Sequence, residues 1–236
     1  MNLADPYLKT TRAKEHLETL KEELSVFYES NPSHFVFEDD VKNQLHIIRM
    51  KIDDTPDRIT LIAGDIFYNL RAALDQLVWC LAKLTLPYPE DTQFPILESR
   101  NKSLFERRVA GVPAEAAAMI EALQPYNGGD IHSHLLWQLN KLCNVDKHMR
   151  IPVRGTVGMV RWDTPPMLLA NGFDNNAEMR IPLAMKGKMA LNPRVTEFCV
   201  TFGDMYWGVE VKVEGIEAIY EFVTNRVIPR FARFFT

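Results

Sequence analysis

The chain has 236 residues, of which 47% are hydrophobic, so it is long and apolar enough to form one large globular domain or a helical body with a smaller sheet attached. Its formal net charge of -4 and its isoelectric point near 5.9 argue against a strongly electrostatic nucleic-acid-binding protein, because such proteins need a basic face that displaces counterions from phosphates. Any contact with RNA is therefore expected to be local.

Neither a membrane-spanning helix nor a secretory signal is predicted. No run of about 18 apolar residues occurs, and the first ten residues lack the basic start and the apolar core of a signal peptide. The three cysteines, Cys80, Cys143 and Cys199, are widely separated and match neither a disulfide framework nor a zinc motif. We therefore expect a cytoplasmic protein that uses no metal or cofactor.

The first elements along the chain are predicted to be a helix and a β-hairpin. Apolar residues three and four positions apart predict an amphipathic helix within residues 3–30. Residues 34–39 and 44–52 are rich in aromatic and β-branched side chains and are separated by a polar turn. This pattern predicts two antiparallel strands.

Four helices are predicted next. Residues 55–57 (Thr-Pro-Asp) supply a helix cap, a proline suited to the first turn and a favourably placed acid, so a long helix is expected from there to about Leu86. A proline-rich connector separates it from a polar helix near 101–109. Pro113 then opens another helix, and a fourth is predicted over about 131–145.

After Pro152 the periodicity changes from helical to strand-like. One small antiparallel sheet is predicted, with Gly203-Asp204 as a hairpin turn, from four segments: 152–162, 179–185, 194–202 and 205–213. Apolar spacing predicts a last helix over 216–227, which Pro229 would end or kink. The expected organisation is a helical bundle over 1–150, with a hairpin at about 34–52, and a β-rich segment plus C-terminal helix over 151–236, packed together as one unit.

The segment GDIFYNLRAALDQLVW, residues 64–79, carries polar side chains on an otherwise apolar helix. At about 100° per residue, one face is continuously apolar and is expected to lie in the core. The opposite face mixes apolar residues with polar ones: Leu61, Tyr68 and Trp79 with Asp65, Asn69, Arg71, Asp75 and Gln76. If this face packs against another element, its charges need partners, because an unpaired buried charge costs several kcal/mol.

Two acids are candidate partners for Arg71. Asp75 lies four residues later on the same helix, where a surface pair contributes only about 0.2–0.5 kcal/mol. Asp146 lies at the end of a leucine stripe in the helix predicted near 131–145, nearly in line with Leu139 and Leu142. A buried contact between Arg71 and Asp146 is the richer interpretation.

A second face of that later helix combines an aromatic ring, a cation, an amide and an imidazole. These residues are Trp137, Lys141, Asn144 and His148, and His134 lies close beside them. A histidine beside a lysine and an aspartate is a candidate for proton transfer, whereas the same network could also merely lock two helices together. Both interpretations remain open at this point.

Four motifs, in this order, resemble a family of uncharacterised bacterial and phage proteins. They are GDIFYNLRAALDQLVW, FPI at 94–96, LQPY at 123–126 and LNKLCNVDKHMR at 139–150. The family pattern runs GDxxHNLRxALDH, then LQPY, then LxxLxNxDKHR. The resemblance covers about residues 64–150.

The first motif is also similar to the R-x(4–6)-H signature of HEPN domains, helical bundles that often act as metal-independent endoribonucleases in toxin and antiphage systems. In such enzymes the arginine and the histidine bind the scissile phosphate and assist proton transfer from the ribose 2′-hydroxyl. The two residues commonly come together across a dimer interface. The resemblance implies an α+β fold with a HEPN-like helical bundle, a homodimer, and Arg71 as the matching arginine. Gln76 occupies the histidine position and has no pKa near neutrality, and Tyr68 stands where the family commonly has histidine.

Two functional hypotheses follow. The favoured one is a HEPN-like binding or assembly module with a buried polar network, in which the sheet from about 152 to 213 offers a surface to an RNA or protein partner. The alternative is a metal-independent endoribonuclease of toxin or antiphage type that uses Arg71 and His148, with Lys147 beside them. The network residues are Asp65, Asn69, Asp75, Gln76, Asn144 and Asp146. A small-molecule enzyme ranks last, because the chain has no HExxH, P-loop or GxSxG motif.

Overall fold

A computed structural model describes residues 2–161, 169–173, 178–187 and 194–235 of the chain. The described residues form an α+β fold with six α-helices and two small antiparallel sheets, which confirms the predicted mixture. The helices are α1 (Ala4–Glu29), α2 (Asp57–Ala82), α3 (Lys102–Arg108), α4 (Ala114–Ala122), α5 (Leu135–His148) and α6 (Val213–Glu221). The strands are β1 (Ser33–Asp40), β2 (Leu45–Ile52), β3 (Val153–Arg161), β4 (Leu169–Phe173), β5 (Glu178–Pro182), β6 (Arg194–Asp204) and β7 (Val209–Val211).

The chain divides into two compact units, each assembled from separate parts of the sequence. Unit 1 comprises Met1–Lys21, Thr60–Pro152 and Gly203–Thr236, and unit 2 comprises Glu22–Ile59 and Val153–Phe202. The chain passes from one unit to the other at four positions, and one of them, after Pro152, lies two residues from the boundary predicted between residues 150 and 151. Two further such positions lie inside α1 and α2. Because the helical periodicity of the sequence continues through both of them, it gives no sign of a boundary there.

In unit 1, α2 supplies much of the core. The side chains of Ile66, Phe67, Leu70, Leu74 and Leu77 are completely buried, as the predicted apolar face requires. The helix ends at Ala82, four residues before the predicted end. The chain turns after Ala82, where the amides of Thr85 and Leu86 both donate to the Ala82 carbonyl oxygen, before Pro87 disfavours helical backbone at Leu86.

Helix α5 begins later than predicted and extends further. It starts at Leu135 because His134 caps it: the Leu136 amide donates a hydrogen bond to His134 Nδ1, at 3.2 Å. The helix continues through His148, and Met149 is extended. The DKH stretch, Asp146 to His148, therefore belongs to the last turn of α5.

The first sheet, all of whose strands belong to unit 2, has the strand order β1-β2-β5. Strands β1 and β2 form the predicted hairpin. The single predicted sheet is wrong, however, because β5 pairs with β2, with Ile181 opposite His46. Pairing partners that are distant in sequence cannot be read from the alternation of polar and apolar residues, which only predicts that a segment is a strand.

The second sheet has the order β4-β3-β6-β7. The hairpin turn predicted at Gly203-Asp204 is wrong, since β6 runs through Asp204 and the chain turns at Met205–Trp207 instead. Asp204 caps this turn by accepting a hydrogen bond from the Tyr206 amide at 2.8 Å. Gly203 lies inside the strand with a φ of +103°.

The C-terminal helix is not ended by Pro229. Helix α6 widens into π-helical backbone over Phe222–Val227 and then tightens into a 3₁₀ helix over Ile228–Phe234. A proline has no amide hydrogen and clashes with the carbonyl of the preceding turn, which explains a change of helix type before it. No helix of the described chain is both long and apolar enough to span a membrane.

Candidate functional site

Arg71 is buried, with 4% of its surface exposed, and lies at the centre of a compact set of hydrogen bonds. Its Nη2 donates to the Phe94 carbonyl oxygen at 2.7 Å and lies 2.9 Å from Asp75 Oδ1. The Phe94 amide in turn donates to the same Asp75 oxygen at 2.9 Å. Burial raises the pKa of the Asp75 carboxyl, and the positive charge of Arg71 opposes this shift.

Gln124, from the LQPY motif, holds the same loop from its other side. Its side chain is 1% exposed. The Nε2 group donates to the carbonyl oxygens of Pro95 (2.7 Å) and Ile120 (3.1 Å), while Oε1 accepts from the Leu97 amide at 3.1 Å. The amide therefore pairs with two backbone groups of the irregular loop, the Pro95 carbonyl oxygen and the Leu97 amide, and ties them to the end of α4.

Three separate motifs thus form one structure, which we call the loop clamp: Arg71, Asp75 and Gln124 bound to the backbone of residues 94–97. Helix α2 contributes the two charged groups, and the end of α4 contributes the amide. Backbone of an irregular loop can be buried only if its polar groups are paired. The clamp therefore explains why Arg71 and Asp75 lie on the otherwise apolar α2.

The predicted contact between Arg71 and Asp146 is wrong. Among the described residues, the ion pair of Arg71 is with Asp75. Asp146 lies against Gly64 instead, since a Cβ added at Gly64 would be 2.5 Å from Asp146 Oδ1. Because Gly64 has no side chain, the Asp146 carboxylate can pack against the helix at this position. Gly64 lies seven residues before Arg71, which is about two turns or 10 Å along the helix axis.

Asp146 is half-buried beside another acid. Burial raises the pKa of the Asp146 carboxyl, and the charge of Asp65 raises it further. The acid also lies in the last turn of α5, where the negative end of the helix dipole disfavours an anion. The ionised carboxylate is therefore less stable in the folded protein than in the unfolded chain.

Asp146→Asn is expected to stabilise the protein at neutral pH, by less than about 1 kcal/mol because much of the side chain remains in contact with water. The pKa of Asp146 is higher in the folded state, so the destabilisation grows as pH rises from about 3.9 through the folded-state value, and it disappears at lower pH. Urea denaturation of both proteins across this range measures the difference. Asp65→Asn should produce part of the same gain, whereas a constant stability difference at every pH would contradict the assignment.

The remaining predicted network residues lie apart from the clamp. Asn69 is buried, donates to the Asp65 carbonyl oxygen at 2.8 Å and accepts from Lys9 Nζ at 3.5 Å. Gln76 Oε1 is buried without a hydrogen-bond partner among the described residues. Lys147 is exposed. These side chains therefore do not form one continuous network with Arg71.

A cleft of about 300 Å³ lies beside the C-terminal half of α5. The face predicted from the sequence lines it, with Trp137, Lys141, Asn144 and His148, and further lining comes from Glu98, Asn140, Val145, Met149 and Trp207. The cleft thus includes two of the predicted site residues, Asn144 and His148. Arg71 and Lys147 are not part of its described lining.

One wall of the cleft is built from the loop that follows the clamp. Trp137 is buried on α5, and its Nε1 donates to Glu98 Oε1 at 2.8 Å. Glu98 comes directly after the clamped residues 94–97. The clamp therefore fixes the backbone that presents Glu98 to Trp137.

The groups in the cleft suit a flat, polar ligand that carries negative charge. Lys141 supplies an ammonium group and His148 an imidazole, while Asn140 and Asn144 supply amides. Trp207 offers an indole ring on which a planar group can stack. Glu98, which accepts a hydrogen bond from Trp137 Nε1, adds a carboxylate, so the lining carries both positive and negative charge.

Glu98, Gln124 and Trp207 were not predicted from the sequence as site residues. The signal for the first two was present, because both lie in or directly after motifs that carry the family resemblance, FPI and LQPY. Trp207 reaches the cleft through the turn after β6, which was predicted at Gly203-Asp204 but lies at Met205–Trp207.

No group of three or more histidine, cysteine, aspartate or glutamate side chains within the described ranges is arranged to hold a metal ion. Comparisons of the chain with protein-family models, with curated proteins and with solved structures found no match.

Proposed function

We propose that the protein is a HEPN-like binding module in which the cleft beside α5 binds a partner and the loop clamp holds one wall of that cleft in place. The observation that carries the proposal is the lining of the cleft, where a cation, an imidazole, two amides and an indole ring meet. Arg71, Asp75 and Gln124 have a supporting role, because they fix the loop that leads to Glu98.

Single-stranded RNA is the partner that fits this lining best. Stacking on an aromatic ring and a nearby cation are the two interactions by which proteins bind unpaired nucleotides. Trp207 and Lys141 supply them within one cleft, and Tyr206 beside Trp207 is 84% exposed. The net charge of -4 is compatible with such local recognition, although not with binding along an extended basic surface.

Binding is favoured over RNA cleavage because of where Arg71 lies. A ribonuclease built on Arg71 and His148 would need the guanidinium to reach the scissile phosphate. Arg71 is 4% exposed, and its Nη2 already bonds the Phe94 carbonyl oxygen and Asp75. His148 is therefore the only one of the pair that lines the cleft, and Gln76 supplies no replacement for a catalytic histidine.

The purified protein is expected to bind a short, fluorescently labelled single-stranded RNA, and Trp207→Ala is expected to weaken this binding by about tenfold, since stacking of one base contributes about 1–3 kcal/mol. Lys141→Ala should reduce the salt dependence of binding by about 0.7 in the slope of log K against log salt. Fluorescence anisotropy at several salt concentrations measures both effects.

Tyr88→Ala and Lys102→Ala are matched controls, because both side chains are exposed outside the cleft. Binding that these controls weaken as much as the cleft variants do would refute the cleft as the RNA site. The RNA is also examined on a gel after incubation without added metal. Intact RNA supports a binding module, whereas cleavage that His148→Ala abolishes would establish the endoribonuclease instead.

A further inference from the structure

A pocket of about 490 Å³ lies within unit 2, apart from the site described above. Its lining comes from the end of α1, the start of β1 and the first half of β6. Three aromatic side chains belong to this lining: Tyr28, Phe35 and Phe198. Small-molecule sites in proteins usually have volumes of about 300–1,000 Å³, so the pocket has the size of such a site. We call it the aromatic pocket.

Two of its rings stand at right angles to each other. The centres of the Tyr28 and Phe198 rings are 5.7 Å apart, and the ring planes form an angle of 84°. The Tyr28 hydroxyl oxygen accepts a hydrogen bond from the Val200 amide at 3.3 Å, which ties this ring to β6. The Phe198 ring lies against Gly155, since a Cβ added there would be 2.7 Å from Phe198 Cζ. Both rings are therefore held in place by their own chain.

The third ring is anchored in the same way but from another strand. Phe35 and Phe198 both pack against the apolar core of unit 2 and stay partly exposed. That core consists of Ile48, Met50, Ile52, Val157 and Val160. Tyr28 is 37% exposed. The three rings thus combine a fixed position with a surface that a ligand can reach.

The charge of the aromatic pocket is negative. Glu197 is the only charged residue in its described lining, which includes no lysine, arginine or histidine. The carboxylate lies over β3, because a Cβ added at Gly158 would be 2.9 Å from Glu197 Oε2. A single negative charge attracts cations and repels anions even where it makes no direct contact. The pocket therefore favours a cationic ligand.

Aromatic rings select among cations. The face of a ring carries partial negative charge and attracts a cation, but it accepts no strong hydrogen bond. A primary ammonium has three N–H donors, which would lose their water without gaining comparable acceptors from Phe35 and Phe198. A trimethylammonium group has no donor, and its methyl groups can pack against the rings. We propose that the aromatic pocket binds a small molecule that carries a trimethylammonium group.

This proposal does not depend on RNA binding by the cleft. All residues that line the aromatic pocket belong to unit 2, whereas the loop clamp and the cleft beside α5 belong to unit 1. The two activities can therefore be tested with different ligands and different variants.

The first test compares three ligands by isothermal titration calorimetry of the intact chain. Choline is expected to bind about tenfold more tightly than the neutral alcohol in which a tert-butyl group replaces its trimethylammonium group, because the alcohol has the same shape but no charge. Ethanolamine, which keeps the charge but has no methyl groups, is expected to bind more weakly than choline as well. Equal affinity for choline and either analogue would overturn the proposal, as would the absence of choline binding at millimolar concentrations.

The second test locates the binding site. Phe35→Leu keeps an apolar side chain but removes one ring, and it is expected to weaken choline binding about fivefold. Phe37→Leu is the matched control, since it makes the same substitution two residues later on β1, outside the pocket lining. Circular dichroism establishes that both variants are folded.

Glu197→Gln tests the charge at an exposed position, where the substitution leaves the core unchanged. It is expected to weaken choline binding about threefold and to reduce the dependence of binding on salt. Glu90→Gln makes the same change at an exposed residue outside the lining and should have no effect. Choline binding that Phe35→Leu and Glu197→Gln leave unchanged, or that the two controls weaken equally, would place the ligand elsewhere and overturn the proposal.

Discussion

Arg71→Ala is expected to lower the free energy of unfolding by about 3 kcal/mol, at the lower end of the range for breaking a buried ion pair, because Asp75 remains about one-third exposed to water. The substitution leaves the Asp75 carboxylate without its cation and the Phe94 carbonyl oxygen without a donor. The buried Phe94 carbonyl oxygen would then lack a hydrogen-bond donor, while Asp75 would keep the hydrogen bond from the Phe94 amide but lose the cation that offsets its partial burial. Urea denaturation measured by circular dichroism gives the change.

Lys14→Ala is the matched control for this variant. Lys14 and Glu18 form another pair four residues apart on a helix, but both side chains are mostly exposed, so their contribution is about 0.5 kcal/mol or less. If the two alanine variants lost similar stability, Arg71 would behave as a surface residue and the loop clamp would have no structural role. The same Arg71→Ala protein should also bind RNA more weakly, since the loop that carries Glu98 would no longer be held.

Gly203→Ala is expected to have the largest effect of any single substitution considered, about 4 kcal/mol of lost stability. A Cβ at this position would overlap the carbonyl oxygen of Val209, which belongs to the neighbouring strand, and would press on Leu142 of α5 at 3.3 Å. The φ of +103° adds backbone strain, because side chains other than glycine rarely adopt it. Overpacking and strain cost about 1–3 kcal/mol each.

Gly129→Ala serves as the comparison for the glycine substitution. No atom lies within 4 Å of a Cβ built at Gly129, so this variant should stay within about 0.5 kcal/mol of the parent. Thermal and urea unfolding measure the loss of stability of the Gly203→Ala and Gly129→Ala proteins relative to the parent. A Gly203→Ala protein as stable as the Gly129→Ala protein would show that β6 and β7 do not approach each other as closely as the structure indicates.

Helix and strand positions could largely be predicted from local patterns. The leucine spacing in α1, the alternation in β1 and β2, and the cap and proline before α2 each depend on residues within one turn or one hairpin. The face of α5 that carries Trp137, Lys141, Asn144 and His148 was predicted in the same way, because helical geometry alone places these side chains together. The turn that was misplaced, at Gly203-Asp204, depends on backbone geometry that composition does not encode, whereas Pro229 does mark the place where the last helix changes type.

The partner of Arg71 shows the limit of such patterns. Periodicity indicated that the arginine is buried and needs an acid, and two acids were available in the sequence. Asp75 is the partner because the loop at 94–97 packs against that side of α2 and supplies a carbonyl oxygen as the second acceptor. Asp146 lies elsewhere because Gly64 leaves room for it.

Residues 64–79 therefore specified a helix with one buried apolar face, since this property follows from the 3.6-residue repeat, whereas the end of α5 at His148 lies three residues beyond the predicted end. The loop clamp, the pairing of β5 with β2 and the meeting of Glu98, Trp137 and Trp207 arise only when distant segments pack. Which of several compatible partners a side chain contacts depends on the volume and hydrogen-bonding groups that neighbouring segments leave available, and these are properties of the folded chain as a whole.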